Sequence, residues 1–263
     1  MRLLREICRR HELLYNLVSR NLKSRYKDSV LGFLWSVLTP FFMALIYVVF
    51  LRILARGIPM EEVLIGVFAW QFTAQCVNNG MTAITDNANL VKKVYFPRII
   101  LPLAATVSNL VNFLLSLIVQ FILVGVLLAW RGQTMDIHAL AIPLLVMGHA
   151  IFCLALTVFL SCINVYFRDI QHLVGVGMTA WFFLSPAMYS LALVENIAGP
   201  RLMNLYLLNP MAIIITGYRA LILKNNVFPW GWPVAGATLF AVVFLICSIA
   251  LFQKLQRNFS DAF

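Results

Sequence analysis

Six long apolar runs divide the chain, and charged side chains are largely confined to the segments between them. A membrane-spanning helix needs about 20 mostly apolar residues to cross roughly 30 Å of hydrocarbon. The runs meet this length; they are Val30–Leu51, Val63–Ile84, Ile99–Trp130, Ala139–Phe167, Ile170–Val194 and Trp232–Phe252. They are continuous rather than alternating, which favours helices over barrel strands. The sequence therefore predicts an all-α polytopic membrane protein with six transmembrane helices.

The composition excludes several other classes of protein. The chain is 62% apolar and 11% charged, whereas soluble domains are about 45–50% apolar and about 25% charged. Disordered chains are poor in apolar residues. Five cysteines among 263 residues are too few, and odd in number, for a disulfide scaffold. We expect all five to be reduced.

The basic residues predict the orientation. If the N-terminus is cytoplasmic, fourteen of the 20 Lys and Arg residues lie on the cytoplasmic side. Short cytoplasmic segments carry such an excess. Both termini are then predicted to be cytoplasmic, as an even number of spans requires.

Leu202–Leu223 is apolar enough to suggest a seventh crossing, but Arg219 lies within it and Asn209-Pro210 interrupts it. A proline inside a helix breaks it, and the two remaining pieces are too short to cross. We therefore predict an outer re-entrant or interfacial segment at 195–229, with two short helices before the last span.

Residues 1–29 are predicted to form an amphipathic helix on the cytoplasmic surface, ahead of a six-helix domain at 30–263. Apolar side chains recur at helical spacing from Leu3 to Tyr26, opposite a basic face. The basic residues either anchor the helix or contact lipid headgroups or a phosphate-bearing substrate. The candidates for such a contact are Arg20, Lys23, Arg25 and Lys27.

The predicted spans contain few side chains that could catalyse a reaction or carry protons. Their ionisable side chains are His149 and His172, whereas coupled transporters carry charged residues at mid-depth. We interpret His149 as a hydrogen-bonded packing residue. No metal-binding, nucleophile or phosphate-loop motif occurs in the sequence. We therefore expect no metal, no catalytic residue and no cofactor bound by this chain.

A short cytoplasmic helix is predicted at 86–96, between the second and third runs. Its end signals are Asp86 or Thr85 as the N-terminal cap, Lys92 and Lys93 at the C-terminal end, and Pro97 as the stop. Leu90, Val94 and Tyr95 would form an exposed apolar patch, which is a reasonable docking site for a soluble protein.

Further segments occur in order along nearly the whole chain. They are RNLKSRYK at 20–27, SVLGFLW at 29–35 with Pro40, LVKKVYFPR at 90–98 with Leu101-Pro102, YFRDI at 166–170, LSPAMY at 184–189, and Asn209-Pro210 with Tyr218-Arg219. Together they resemble the membrane subunits of type-2 ABC exporters, specifically the branch that exports lipid-linked polysaccharides such as O-antigens, capsules and teichoic acids.

The resemblance implies a homodimer in the bacterial cytoplasmic (inner) membrane, with a translocation path at the dimer interface. It also implies two ATP-binding cassette subunits, which bind ATP and Mg, and no nucleic-acid partner. The helix at 86–96 would be the coupling helix seated in the ATPase, and the outer helices would help close the exit. The implied partner contacts are Asp86, Asn89, Leu90, Lys92, Lys93, Tyr95 and Phe96.

Aromatic side chains of the first and fifth runs are candidates for the glycan path, because rings stack on the apolar faces of sugars and tolerate sliding. The candidates are Trp35, Phe42, Tyr47, Trp181, Phe182 and Tyr189. Their spacing equally fits rings that face lipid or the membrane interface.

Two other functions stay open. One is a type-2 ABC exporter of another substrate, such as a lipid or a drug. The other is a membrane-embedded enzyme acting on lipid-linked sugars, in which Glu61, Glu62 or Asp136 would supply the base. We interpret Glu61-Glu62 more simply as a solvated helix start, since carboxylates are favoured near the positive end of a helix dipole.

Overall fold

A computed structural model describes residues 9–25, 59–224, 226–256 and 259, with isolated positions between 29 and 49. Regular structure in these residues is helical, apart from an isolated bridge between Met135 and Leu223. The α-helices are α1 (His11–Arg25), α2 (Met60–Met81), α3 (Ala88–Lys93), α4 (Ile100–Trp130), α5 (Ile142–Tyr166), α6 (Ile170–Phe183), α7 (Leu191–Tyr206), α8 (Pro210–Ile222) and α9 (Trp232–Leu255). Short 3-10 helices occupy Thr85–Asn87 and Ile137–Ala141.

Three helices in the described part are long and apolar enough to cross a membrane: α4, Ile137–Tyr166 and α9. α2 contains 22 residues, about 33 Å at 1.5 Å per residue, but amide side chains in its second half lower its hydropathy. An all-α, multi-pass membrane protein is thereby confirmed. Half of the residues of the first predicted span, Val30–Leu51, lie outside the described part, so the count of six spans stays a prediction.

The fifth apolar run does not form one helix. α6 ends at Phe183 after 14 residues, about 21 Å at 1.5 Å per residue. The chain then turns through 184–190, and Ser190 caps α7 by accepting a hydrogen bond from the backbone N–H of Leu193. The prediction of a continuous span over Ile170–Val194 is therefore wrong, because a proline at 186 ends the helix within an unbroken apolar run.

The predicted break at Asn209-Pro210 is confirmed. α7 ends at Tyr206 and α8 begins at Pro210, a residue that is tolerated in the first turn of a helix. The Asn209 side chain caps α8 by accepting a hydrogen bond from the backbone N–H of Met211 at 3.0 Å. α7 is itself kinked at Gly199, whose φ of 70° suits glycine.

Two apolar clusters hold the described helices together. The larger joins α2, α4, α5 and α8 and includes Ile65, Cys153 and Ile215. The smaller lies at the other end of the bundle, where Leu17 of α1 and Val91 of α3 pack with residues of α4, α5 and α9. α1 lies within the predicted helix at 1–29, and its apolar side chains pack in this smaller cluster; its place on the cytoplasmic membrane surface stays a prediction.

Candidate functional site

A polar cavity of about 470 Å³ lies where α1 meets the C-terminal end of α2 and the start of α4. Arg20 and Arg25 of α1 contribute guanidinium groups to its wall. The other polar residues of the lining are Asn21, Ser24, Asn79, Thr82, Asp86, Asn87, Ser108 and Asn109. The sequence had indicated the basic residues but not the amides of α2 and α4 that complete this site.

Arg25 is held by these amides. Its Nη2 donates to Asn109 Oδ1 at 2.8 Å and its Nη1 to Gln75 Oε1 at 3.4 Å. Asn79 also donates to Asn109 Oδ1, at 3.0 Å, and Asn109 donates to the backbone carbonyl of Gln75 at 3.2 Å. Amides inside an apolar bundle are costly unless they form hydrogen bonds. Their mutual pairing therefore explains how polar side chains are tolerated between α2 and α4.

Arg20 links α1 to the segment that leads into α3. Its guanidinium donates to Asn87 Oδ1, and Asn87 donates to the carbonyl of Ala83 at 2.8 Å. Lys23 is exposed and does not line the cavity, and Lys27 lies outside the described residues. Of the four predicted headgroup contacts, the structure brings two to one cavity.

The predicted coupling helix is shorter than 86–96. α3 ends at Lys93, with Lys92 and Lys93 in its last turn as predicted, and Val94 is extended. The predicted cap is wrong: Asn87 occupies the N-cap position without a side-chain cap hydrogen bond. The helix also ends before Pro97, so that residue does not terminate it directly.

The side chains of this coupling segment differ in exposure. Tyr95 is 95% exposed and Val94 48%. Asp86, Asn89, Lys92 and Lys93 are also exposed, and Leu90 is half-buried. Phe96, in contrast, is 6% exposed and packs in the smaller apolar cluster. The partner contact stays a prediction, and its most accessible aromatic ring is Tyr95.

The aromatic candidates fall into two groups. Trp35 and Phe42 are 42% and 47% exposed, while Tyr47 lies outside the described residues. Trp181 and Phe182 pack against Trp70, with ring centroids 5.6 Å and 5.5 Å away. These contacts favour a structural role for the two α6 rings within the single chain.

Tyr189 and Trp181 also take part in hydrogen bonds at the break after α6. The Tyr189 hydroxyl donates to the carbonyl of Phe183 at 2.8 Å and lies 3.1 Å from the hydroxyl of Tyr206. The indole N–H of Trp181 donates to Asn209 Oδ1 at 2.9 Å. The path assignment of these residues stays a prediction beside this structural role.

Arg219 is a buried residue that the sequence did not single out for a role. It is 1% exposed and donates to the carbonyls of Glu62, Tyr189 and Pro186 at 2.9, 2.9 and 2.6 Å. The guanidinium thus ties α8 to the start of α2 and to the turn at 184–190. Apolar periodicity carries no signal for such a long-range contact.

The acidic pair at the start of α2 is not solvated, contrary to the prediction. Glu61 is 6% exposed and accepts a hydrogen bond from Arg131 at 2.6 Å. Glu62 lies 3.9 Å from Arg219 and also accepts a hydrogen bond from Asn226 at 3.4 Å. The pair does occupy the first turn of the helix, as predicted. Both carboxylates are engaged with cationic partners, which argues against either as a free catalytic base.

Asp136 offers no better base. Its carboxylate accepts hydrogen bonds from the backbone N–H of His138 at 3.0 Å and pairs with the His138 ring at 2.7 Å. These contacts, the backbone hydrogen bond above all, hold the pKa of the Asp136 carboxyl below its ordinary value. A lower pKa makes a carboxylate a weaker base.

His149 is a hydrogen-bonded packing residue, as predicted. Its Nε2 lies 2.7 Å from the hydroxyl of Thr73 and its Nδ1 3.4 Å from that of Tyr218. Phe72 and Phe113 pack edge-on against the ring. The four cysteines that the structure describes form no disulfide with one another, and their reduced state stays a prediction: Cys76, Cys153, Cys162 and Cys247.

Comparison with known proteins shows which family the sequence matches. The sequence model of the ABC-2 type transporter family matches residues 12–223. The O-antigen export system permease protein RfbA of Myxococcus xanthus is 36% identical over 265 residues, covering 100% of this chain and 99% of that protein. A Klebsiella pneumoniae protein of the same name is 28% identical over 257 residues, covering 95% and 94% of the two chains.

Proposed function

This chain belongs to the ABC-2 type transporter family, and from that premise we propose that it is the membrane subunit of an ATP-driven exporter of a lipid-linked polysaccharide. One observation carries the choice of substrate: the similarity to a permease named for O-antigen export extends over the full length of both chains. The proposed location is the bacterial cytoplasmic membrane, with both termini in the cytoplasm.

A separate ATP-binding cassette subunit would supply the energy. The sequence has no phosphate-binding loop, so ATP and Mg would be bound by that partner. In the proposed assembly, two copies of this chain associate with two ATPase subunits. The exposed ring of Tyr95 and the charged residues of α3 support a contact with the ATPase at the coupling segment.

The contacts of the coupling segment suggest how a movement there would reach the membrane. α3 follows the end of α2 after a 3-10 turn, so a displacement of α3 acts directly on α2. The Arg20–Asn87 hydrogen bond connects the same turn to α1. In our proposal, ATP binding shifts α3 and α1 together, and α1 moves the first predicted span that follows it.

The polysaccharide would pass at the homodimer interface. The exposure of Trp35 and Phe42 supports these two rings as part of the path. The rings of α6 would form a rigid wall, because Trp181 and Phe182 are braced by Trp70. Fixed charges in the path would bind a polar polymer and hinder its movement. The two apolar runs that supply these rings contain few charged side chains.

Reconstitution with the ATPase tests this function. Proteoliposomes containing both subunits should move a radiolabelled lipid-linked O-antigen to a protected compartment only when ATP is present. Vesicles with the permease alone are the control. Sustained transport or sugar chemistry by the permease alone would contradict the proposal. Faster movement of a fluorescent phospholipid than of the glycan would instead favour a lipid exporter.

A further inference from the structure

We infer that the cavity between α1, α2 and α4 binds the phosphate group of a lipid in the cytoplasmic leaflet. The cavity volume of about 470 Å³ is within the range of small-ligand sites. Amphipathic helices such as α1 lie at the headgroup boundary, so a cavity beside α1 is at the depth of lipid phosphates. This inference concerns the permease alone and does not depend on which substrate it exports.

The charge of the described lining favours an anion. Arg20 and Arg25 contribute two positive charges, and Asp86 is the one carboxylate among the lining residues. A guanidinium presents planar, paired N–H donors that match phosphate oxygens. The described hydrogen bonds engage one nitrogen of Arg20 and two of Arg25, although each guanidinium carries five N–H donors.

The partners of these guanidinium groups support the same conclusion. Arg25 is held by the carboxamide oxygens of Asn109 and Gln75, and Arg20 by that of Asn87. Neutral oxygens fix the position of a guanidinium without neutralising its charge, which stays available to an anionic ligand. Of the other polar groups in the lining, the Asn79 amide donates one N–H to Asn109, so its second N–H suits an oxygen of a headgroup, whereas the hydroxyls of Ser24 and Ser108 donate to backbone carbonyls.

Two kinds of membrane lipid present this phosphate chemistry: a bulk anionic phospholipid and a polyprenyl phosphate carrier. A binding experiment separates them. The purified full-length chain is titrated with phosphatidylglycerol, polyprenyl phosphate and, as a phosphate-free control, diacylglycerol, and bound lipid is counted by native mass spectrometry. We expect at least one of the phosphate lipids to bind and diacylglycerol not to bind. The phosphate lipid that binds more tightly identifies which of the two kinds of lipid the cavity recognises.

Lys23 provides a matched control, because it is on the same helix and carries the same charge but does not line the cavity. Arg20→Gln and Arg25→Gln should each weaken binding about fivefold or more, since a basic group near the membrane surface contributes about 1 kcal/mol. Lys23→Gln should change it less than twofold. Asp86→Asn should tighten binding, because it removes a like charge from beside the phosphate.

Ser24→Phe fills the cavity with a ring and leaves the charge unchanged. It is a second test of the cavity that stays informative if Arg25→Gln weakens binding only because it disturbs folding. It should abolish binding while the unfolding temperature stays unchanged. Equal losses for Lys23→Gln and Arg20→Gln would show diffuse surface attraction and overturn the inference. Normal binding by the Ser24→Phe protein, or equal binding of diacylglycerol, would also overturn it. No ATPase or glycan is present, so this result is independent of the transport test.

Discussion

Gly66 sets how closely α2 approaches the turn between α6 and α7. A Cβ at this position would lie 2.4 Å from the carbonyl oxygen of Ala187 and 2.9 Å from its Cα. These are backbone atoms, and Arg219 holds the same turn through neighbouring carbonyls. We expect Gly66→Ala to lower the free energy of unfolding by about 1–3 kcal/mol, measured by denaturation of the solubilised protein.

Gly148 is the matched control for this substitution. It lies within α5, and a Cβ there meets nothing within 4 Å. Gly148→Ala should be neutral or stabilise by up to about 1 kcal/mol, because alanine has the higher helix propensity. If the two substitutions had the same effect, the contact between Gly66 and the turn would not limit packing.

Sequence predicts the types of residue in the cavity better than their arrangement. The basic stripe of α1 identified Arg20, Lys23 and Arg25 as equivalent candidates. Only the structure separates them, because Arg25 is positioned by amides 50 and 84 residues away along the chain. Helical periodicity describes one element and contains no information on which neighbour that element packs against.

At the scale of elements, we expect binding of the ATPase subunit at the coupling segment to depend on Tyr95. Its ring is 95% exposed on an extended stretch after α3, and aromatic rings that become buried at an interface often contribute 2 kcal/mol or more. We expect Tyr95→Ala to weaken binding of the ATPase subunit at least about tenfold, measured by titration of the two purified subunits.

Tyr15 offers a control on a neighbouring helix. It is 72% exposed on α1 and belongs to the same residue type. Tyr15→Ala should leave the affinity for the ATPase within about twofold. Unchanged affinity of the Tyr95→Ala protein would exclude this segment as the main contact.

Truncation of an α6 ring and truncation of a ring in the first predicted span should have different effects on stability and export. Trp181→Ala removes a ring packed on Trp70 and a hydrogen bond to Asn209, so we expect a loss of about 3 kcal/mol in stability. Phe42→Ala should change stability by less than about 0.5 kcal/mol but reduce glycan export. Both quantities are measured on the same preparations. Normal export by the Phe42→Ala protein would show that the Phe42 ring is not part of the glycan path.

The positions of the helices could be predicted where one continuous apolar run determines a helix. α4 and α9 begin within one residue of their predicted starts, because long uninterrupted apolar runs define them. The run at 170–194 contains one break signal, the proline at 186, but the contacts that hold the resulting turn are not visible in the run. Its break is held by Asn209, which donates to the carbonyl of Leu184 at 3.1 Å, and by Arg219. Both lie beyond the run in the sequence.

At the scale of the whole molecule, the central question is how many times the chain crosses the membrane. The distribution of basic residues predicts that α3 and the end of α9 are cytoplasmic and that the loop after α4 is outside. That arrangement requires α7 and α8 to remain on the outer side as a pair. A crossing by α7 and α8 would invert the side of α9 and move its C-terminal end outside.

Cysteine labelling tests this topology directly. In a protein with Cys8 and Cys247 replaced by Ser, single exposed positions are changed to Cys and treated with a membrane-impermeant maleimide. Asn89→Cys and Lys254→Cys should be labelled in inverted vesicles, and Gln133→Cys and Val227→Cys in spheroplasts. The parent protein is the control, since its remaining thiols at 76, 153 and 162 are buried. Labelling of Lys254→Cys from outside, with Asn89→Cys still labelled from inside, would require an odd number of crossings and assign α7 and α8 to a seventh span.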